Sequence, residues 1–254
     1  MLRIEELKGK VAIVTGSSSG IGYRLAVGLA QQGVRVVVNS RKLERLEAVC
    51  REIEGLGGEV LPVQADVRDP DQVASLVEQT VARFGTVHFL INNAGGTFWA
   101  PAEQISPNGW RAVVETNLTS TFLVSKAVLP EMRKNGYGVI INVSSVAAFE
   151  PGSSVHYSAA KAGVVQLTRL LAIEWGRYGI RVNCIVPGAI MTAASRFAKD
   201  PDFARRVAEQ VPLGRIGTPD DVLGPVLFLL SDAAAYVNGA VLRIDGGLRG
   251  GLHQ

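Results

Sequence analysis

The sequence predicts an α/β protein in which seven parallel strands form one doubly wound sheet with helices on both faces. Three observations lead to this fold class: short apolar runs alternate with segments of helical periodicity, the first run ends in a glycine-rich turn, and no change of composition divides the chain. With 254 residues, 47% of them hydrophobic, the chain is long enough for an extensive core. We therefore expect a single domain over residues 1–254.

The apolar runs indicate strands buried on both faces, because they lack the alternation of a half-exposed strand. They lie at residues 11–15, 34–38, 60–63, 88–91, 139–143, 181–186 and 240–244. Helical segments are predicted from about Gly20 and over 43–53, 72–84, a long region broken by Pro130, 153–175 and 219–230. The segment 153–175 is apolar around more of its circumference than contact with one sheet requires, so we expect its outer side to pack on another subunit.

The segment from about 189 to 213 interrupts this rhythm. Its central part is poor in strand character and rich in Ala, Arg and Asp, and it follows the carboxyl end of a predicted strand. Doubly wound folds bind their ligands at such ends. We interpret the segment as a mobile lid over a substrate, with an ordinary surface insertion as the alternative.

Composition argues against several classes of protein. The 26 basic and 23 acidic residues are scattered, which gives no nucleic-acid footprint. Cys50 and Cys184 provide neither a disulfide framework nor a metal-ligand spacing, and both are expected to be small buried side chains. No stretch approaches the ~20 apolar residues of a membrane helix, so we expect a cytoplasmic protein that binds neither membrane nor metal.

A glycine-rich turn follows the first strand and opens the first helix. Its glycines let the backbone approach a pyrophosphate, and the helix amino terminus offers free N–H groups with a favourable dipole. This context predicts a dinucleotide-binding Rossmann fold. The predicted cofactor contacts of the turn are Gly16, Ser17, Ser18, Ser19, Gly20, Ile21 and Gly22.

The end of the second strand discriminates between the two nicotinamide dinucleotides. An acidic residue there would bind the ribose hydroxyls of NAD and repel a 2′-phosphate, and this chain has none. Asn39, Ser40 and Arg41 offer donors instead, and Arg41 can form charge-assisted hydrogen bonds to phosphate. We therefore predict NADP(H) over NAD(H), the alternative being that Arg41 only caps a solvated loop.

Tyr157 and Lys161 stand four residues apart, with Ser145 twelve residues upstream of Tyr157. On a helix such a pair shares one face, so the ammonium can lie beside the phenol. A phenol has a pKa of ~10, too high for proton transfer near neutrality, and a fixed cation lowers that pKa. Tyr157 is thus predicted to exchange a proton with a reacting oxygen. His156 points about 100° away on the helix and is expected to be a pocket-wall or surface residue.

Together these motifs resemble the short-chain dehydrogenase/reductase family along nearly the whole chain. Further motifs carry the resemblance: Asp66-Val67, Asn92-Asn93-Ala94-Gly95, Asn117, Pro187-Gly188 with Thr192, and Asp245-Gly246-Gly247. The resemblance implies cofactor contacts at Asp66, Val67, Asn93, Ala94, Gly95, Pro187, Gly188, Ile190 and Thr192, and a homotetramer.

The resemblance also implies roles in catalysis. A hydride would move between nicotinamide C4 and a carbonyl carbon, with Tyr157 giving or taking the proton. Lys161 would lower the pKa of that tyrosine and hold the nicotinamide ribose, Ser145 would bind the substrate oxygen, and Asn117 would position water in a proton relay. Ser144 adjoins Ser145, and the loop to Tyr157 is one residue shorter than is usual in the family. A strand that ends at residue 143 or 144 favours Ser145.

The substrate is less well determined. Residues 95–98, Trp110 and residues 115–119 resemble reductases of 2-enoyl thioesters, whereas residues 212–222 resemble 3-oxoacyl thioester reductases. The complete set of serine, tyrosine and lysine favours carbonyl reduction. An apolar pocket wall is expected from Phe98, Trp99, Phe149 and Met191. A remote alternative is a sensor that binds NADP(H) without catalysis.

Overall fold

The computed structural model describes residues 4–150, 152–193 and 195–248. In these ranges seven strands form one parallel sheet in the order β3-β2-β1-β4-β5-β6-β7. The strands are β1 Val11–Val14, β2 Arg35–Ser40, β3 Val60–Gln64, β4 Phe89–Asn92, β5 Gly138–Val143, β6 Ile180–Pro187 and β7 Val241–Ile244. The predicted sheet is therefore confirmed, and each strand end lies within two residues of its expected position.

Helices cover both faces of the sheet. They are α1 Gly20–Gln31, α2 Glu47–Gly55, α3 Pro70–Phe84, α4 Pro107–Val114, α5 Ser120–Asn135, α6 Val155–Trp175, α7 Arg196–Lys199, α8 Pro201–Gln210 and α9 Pro219–Leu230. Within the described ranges, no helix is long and apolar enough to cross a membrane.

Two hydrophobic cores lie on the two faces, because successive strand residues point in opposite directions. Ala12 and Val14 of β1 join the core that contains α1, α2 and α9. Val11 and Ile13 join the core that contains α3, α5 and the end of α6. The continuous apolar character of the strands follows from this burial on both sides.

The predicted break at Pro130 is wrong, because α5 runs through Pro130 to Asn135. Proline removes one helical N–H, but Pro130 is exposed, so the carbonyl one turn earlier can bind water. The helical region is instead interrupted at Glu115–Thr119, a π-helical stretch between α4 and α5. It contains the buried Asn117.

The expectation for the cysteines is half right. Cys184 is buried, whereas Cys50 is half-buried. Helix α2 packs on the sheet through Val49 and Ile53, and Cys50 follows Val49 by about 100° at the margin of that face.

The site is placed by the strand order. The chain leaves β1 towards β2 on one side and continues from β4 towards β5 on the other. Connections that diverge in this way leave a crevice beyond the carboxyl ends of the strands, where ligands of such folds bind.

Candidate active site

A cavity of about 830 Å³ opens at this crevice. Most of the predicted site residues line it: Gly16, Ser18, Ser19, Gly20, Ile21, Ser40, Arg41, Asp66, Val67, Asn93, Ala94, Gly95, Ser145, Tyr157, Lys161, Pro187, Gly188, Ile190 and Thr192. Ser17, Gly22 and Asn117 are not part of the lining.

The glycine-rich turn connects β1 to α1. Gly16 has a φ of 62° and Gly20 a φ of 59°, which glycine adopts without strain. A Cβ on Gly22 would lie 2.4 Å from Nδ2 of Asn93, so this glycine allows Asn93 to approach and to donate to the carbonyl of Gly16 at 3.0 Å. Ser17 is buried, and its Oγ accepts the N–H of Asn39 at 2.8 Å. Ser17 and Gly22 therefore support the turn from the side away from the cavity lining.

The end of the cavity next to β2 and β3 is cationic. Arg41, Lys42, Arg45 and Arg68 line it together with Asp66. Arg68 binds Asp66 bidentately, with Nε 2.9 Å from Oδ1 and Nη2 2.5 Å from Oδ2, and these bonds lower the pKa of the carboxyl group. Among the described residues, no carboxylate at the end of β2 opposes a phosphate.

The sequence did not single out Arg45 and Arg68 as members of this cationic end. Arg45 lies in the turn before α2 and Arg68 in the turn after β3. They meet at the cavity because β2 and β3 are neighbours in the sheet. The only sequence signal was the proximity of each residue to a strand end.

Asn39 lines the cavity but does not offer the free donors that were expected of it. Its side chain is 1% exposed and donates to the carbonyls of Val63 at 3.2 Å and Ala65 at 3.1 Å. Asn39 thus ties β2 to β3, and Ser40 and Arg41 remain as the polar groups that can reach a ligand.

The other end of the cavity, next to β5 and α6, carries the catalytic candidates. Ser145 lies beside the Tyr157 phenol and lowers its pKa. Lys161 is 4% exposed, its Nζ donates to the carbonyl of Val143 at 2.8 Å, and it lies 5.6 Å from the centroid of the Tyr157 ring. Ser144 is buried and donates to the carbonyl of Lys161 at 2.8 Å. Ser145 is therefore the serine that faces the phenol.

Burial dominates the proton equilibria of this end. It raises the pKa of Tyr157, and the hydrogen bond with Ser145 acts in the opposite direction. It lowers the pKa of Lys161 from 10.5 to about 8. In the protein without cofactor, burial of the phenol is therefore the main influence on the pKa of Tyr157, and it acts against the lowering expected from a nearby cation.

Asn117 lies behind the cavity wall. Its Nδ2 donates to the carbonyls of Gly96 at 2.7 Å and Val113 at 2.8 Å. A Cβ on Gly95 would lie 2.7 Å from Oδ1 of Asn117 and 3.4 Å from Nζ of Lys161. Asn117 therefore ties the loop after β4 to α4, and both of its amide hydrogens are used there.

Around the catalytic end the lining differs from the expected wall. Phe98, Trp99 and Phe149 are exposed side chains outside the cavity, and Met191 is also not part of the lining. Phe197 of α7 does line the cavity, and its ring stacks on Phe203 at 5.6 Å. The apolar wall thus comes from the segment 189–213, whose described part folds into α7 and α8. Ala194 lies outside the described residues.

His156 is completely buried and does not line the cavity, which corrects its prediction as a pocket-wall or surface residue.

The cavity fits a nicotinamide dinucleotide. Glycines at the turn leave backbone N–H groups accessible, cations lie at one end, and a serine, a tyrosine and a lysine meet at the other. The residues that would hold the cofactor are the turn residues 16 and 18–21, Arg41 at the cationic end, and Lys161 at the catalytic end. Among the described residues, no group of three or more His, Cys, Asp or Glu side chains could hold a metal ion.

Comparisons with known proteins agree with this arrangement. The family model described as "Enoyl-(Acyl carrier protein) reductase" matches residues 16–249. A "Probable 2,4-dienoyl-CoA reductase" of Bacillus subtilis is 42% identical over 246 residues, covering 95% of this chain and 97% of the relative. The 3-oxoacyl-[acyl-carrier-protein] reductase of Thermotoga maritima is 41% identical over 245 residues, covering 95% and 98%.

A solved structure gives the same result. The crystal structure of a short chain dehydrogenase from Bacillus anthracis superposes with a TM-score of 0.87 at 45% identity, covering 98% of this chain and 99% of that one. The chain therefore belongs to the short-chain dehydrogenase/reductase family of oxidoreductases, the family that its sequence motifs resemble.

Proposed function

We propose that the protein transfers a hydride between NADP(H) and a carbonyl or secondary alcohol, with 3-oxoacyl thioesters as the substrate class. One observation carries the proposal: Ser145, Tyr157 and the buried Lys161 line one end of the cavity, and a group of cations lines the other end. The relative from Thermotoga maritima, named as a 3-oxoacyl thioester reductase, supports it.

Each side chain at the catalytic end has its own role in the proposed hydride transfer. Bound nicotinamide supplies the hydride for reduction or accepts it in oxidation. Tyr157 gives its phenolic proton to the substrate oxygen, and Ser145 donates a hydrogen bond to the same oxygen. Lys161 places a positive charge where negative charge develops and would hold the ribose hydroxyls. Because burial keeps Tyr157 protonated at neutral pH, it acts as the acid in carbonyl reduction.

The charge distribution favours an uncharged, apolar group next to the reacting carbon. The charged residues of the lining lie at the β2 and β3 end, apart from Lys161. Apolar side chains of the lining include Ile190 and Phe197. A sugar acid would find no second cation for its carboxylate there, whereas the acyl chain of a thioester would pack on apolar side chains.

The second candidate is reduction of the double bond of a 2-enoyl thioester. The description of the matching family model, an enoyl-(acyl carrier protein) reductase, favours it, and the relative from Bacillus subtilis is named for the reduction of a related double bond in a 2,4-dienoyl thioester. This reaction would need a donor that holds the thioester oxygen as an enolate, whereas the Ser145 and Tyr157 pair is suited to a carbonyl oxygen at the site of hydride transfer. Carbonyl reduction is therefore our first choice.

The test follows the loss of NADPH absorbance with 3-oxoacyl thioesters, 2-enoyl thioesters, simple ketones, aldehydes and oxidised sugars. The 3-oxoacyl thioesters should react fastest, and Tyr157→Phe should lose about 10³-fold in turnover while its NADPH Kd stays within about twofold. A sensor without catalysis would be indifferent to this change. Faster turnover of enoyl thioesters than of every carbonyl compound would reverse our choice.

The preference for NADP(H) rests on Arg41. Arg41→Ala should raise the Kd of NADPH by about 10- to 100-fold, because a charge-assisted hydrogen bond contributes about 1.5–3 kcal/mol. The Kd of NADH should change less than about threefold. Lys42→Ala, a neighbouring cation of the same lining, is the matched control and should have the smaller effect. An equal increase in Kd for both dinucleotides in Arg41→Ala would contradict the proposed preference for NADP(H).

We also propose a homotetramer in which the outer side of α6 is an interface. Leu170 is 48% and Ile173 is 77% exposed on that side, which is unusual for aliphatic side chains of one helix. Sedimentation of a monomer would contradict this proposal.

The segment 189–213 is proposed as the lid over the substrate. Phe197 faces the cavity while its ring is held by Phe203. Binding of NADPH and a thioester should protect this segment from limited proteolysis. Unchanged cleavage on binding would favour a simple surface insertion.

A further inference from the structure

The first turn of α6 is capped in an unusual way. The first N–H groups of a helix lack intrahelical partners, and a serine that precedes the helix commonly accepts one of them. Ser154 occupies that place, but its side chain makes no capping bond. Its Oγ instead donates to the carbonyl of Phe98 at 2.7 Å. The serine therefore holds the loop after β4 rather than the helix.

His156 provides the missing acceptor. Its Nδ1 accepts the backbone N–H of Tyr157 at 2.9 Å. Nδ1 can accept only when the proton sits on Nε2, and burial lowers the pKa of His156, which keeps the ring neutral. The backbone N–H of Tyr157, the proposed proton donor, is thus hydrogen-bonded to the side chain of the histidine that precedes it.

The same imidazole also contacts the loop that Ser154 binds. The rings of His156 and Phe98 pack edge to face, with centroids 4.6 Å apart and planes at 84°. Phe98 follows Gly95, Gly96 and Thr97, which line the cavity. The loop that borders the substrate end is therefore attached twice to the turn that carries Tyr157, through Ser154 and through His156.

His156 is completely buried, yet its Nε2 has no hydrogen-bond partner among the described residues. A leucine would fill similar space without an unpaired polar atom. Compared with leucine, the distinguishing property of the histidine is therefore the acceptor at Nδ1.

Resting on the proposed function, we propose that His156 is a positioning residue for carbonyl reduction. It orients Tyr157 through the bond from the Tyr157 N–H to Nδ1, and its contact with Phe98 couples that orientation to the loop at the substrate end of the cavity.

The three variants His156→Asn, His156→Gln and His156→Leu separate the possible roles. Oδ1 of asparagine stands the same number of bonds from Cα as Nδ1, so it can accept the Tyr157 N–H. The polar end of glutamine corresponds instead to Nε2, and leucine keeps the volume without an acceptor. His88→Leu is the matched control, since Nδ1 of His88 accepts the N–H of Val11 at 3.0 Å at the amino ends of β1 and β4, away from the cavity at the carboxyl ends of the strands.

Two measurements are made on each full-length variant. The first is kcat and the NADPH Kd with the best carbonyl substrate of the wild-type protein. His156→Leu and His156→Gln should lose at least about tenfold in kcat, His156→Asn should stay within about threefold, and the Kd should stay within about twofold throughout. His88→Leu should keep the wild-type kcat.

The second measurement is amide hydrogen exchange of the peptide that contains Tyr157, without cofactor or substrate. Exchange should be faster in the leucine and glutamine variants and restored in the asparagine variant. In Phe98→Ala, kcat should fall by a factor similar to that of His156→Leu, and the double variant should be no worse than either.

The outcomes distinguish this proposal from the proposed function. If the wild type reduces no carbonyl compound, the proposed function fails, and the exchange data still decide whether His156 holds the Tyr157 N–H. If the wild type is active but the asparagine variant loses as much kcat as the leucine variant, or the leucine variant loses nothing, the positioning role is overturned.

Discussion

The buried charge of Lys161, which the proposed reaction needs, should lower the stability of the folded protein. The variant Lys161→Met tests this. The side chain is 4% exposed, and among its charged neighbours no described carboxylate compensates it. Burial lowers its pKa from 10.5 to about 8, which means that the folded chain holds the proton less tightly than the unfolded chain. Methionine has nearly the same length and no charge.

The magnitude follows from the pKa. Its fall from 10.5 to about 8 corresponds to a destabilisation of about 3 kcal/mol at pH 7. Removal of the ammonium also removes the hydrogen bond to the carbonyl of Val143, which is worth about 1 kcal/mol. We therefore expect Lys161→Met to be about 2 kcal/mol more stable than the wild type at pH 7.

The sign of the pH dependence is fixed as well. Between pH 8 and 10.5 the unfolded chain binds the proton that the folded chain has released, so wild-type stability rises with pH in that window. The extra stability of Lys161→Met over the wild type should therefore shrink towards zero near pH 9.5.

Urea unfolding without cofactor at pH 7, 8.5 and 9.5 measures this difference in the free energy of unfolding. Lys126→Met, on the exposed side of α5, is the control. A variant that is less stable at pH 7, or a difference that does not change with pH, would refute the reasoning.

Three further predictions concern the rest of the site. Ser145→Ala should lower kcat about 100-fold, whereas Ser144→Ala should lower it less than about tenfold, because only Ser145 faces the phenol. Gly95→Ala should reduce both kcat and the midpoint of thermal unfolding, since its Cβ would lie 2.7 Å from a buried amide oxygen. Asp221→Asn should lower the free energy of unfolding by about 1 kcal/mol at pH 7. In denaturant unfolding this difference should decrease as the pH falls below about 4. Its carboxylate binds Arg215 at 2.7 Å, which lowers its pKa, and exposure of this pair limits the effect.

The fold could be predicted because its information is local. Strands β1, β4 and β5 are buried along their whole length and are largely apolar, whereas the edge strands β3 and β7 are less buried. Each α-helix that covers the sheet carries an apolar stripe. The error at Pro130 arose from a property that the sequence does not display, namely that this residue lies on the solvent side of α5. A proline there removes a bond that water replaces.

The site could be predicted only as far as its motifs extend. Tyr157, Lys161 and the glycine turn carry their chemistry in fixed spacings, and the structure brings them to one cavity. Arg68 and Asn39 could not be assigned, because their roles depend on which neighbour each side chain binds. Arg68 lines the cavity while it binds Asp66, and Asn39 donates the hydrogens of its side-chain amide to carbonyls in and just after β3.

The proton equilibria of Tyr157 and Lys161 likewise depend on packing that the sequence does not show. Spacing suggests that Lys161 makes the phenol of Tyr157 more acidic, but the packing around both groups decides the result. Burial raises the pKa of Tyr157 and lowers that of Lys161 to about 8. At neutral pH the phenol thus keeps its proton and the amine its charge, the combination that carbonyl reduction needs.

In free enzyme, kcat/KM for the cofactor should therefore be level between pH 7 and 7.5 and fall as Lys161 loses its charge above about pH 8. The 2′-phosphate of NADPH titrates near pH 6. Repeating the profile with NADH removes that ionisation and leaves the fall above pH 8 in place. A profile that stays level to pH 9.5 with both dinucleotides would show that the charge on Lys161 does not matter for cofactor capture and reduction. Alcohol oxidation needs the phenol to accept a proton, so its kcat at saturating cofactor should rise over the same range.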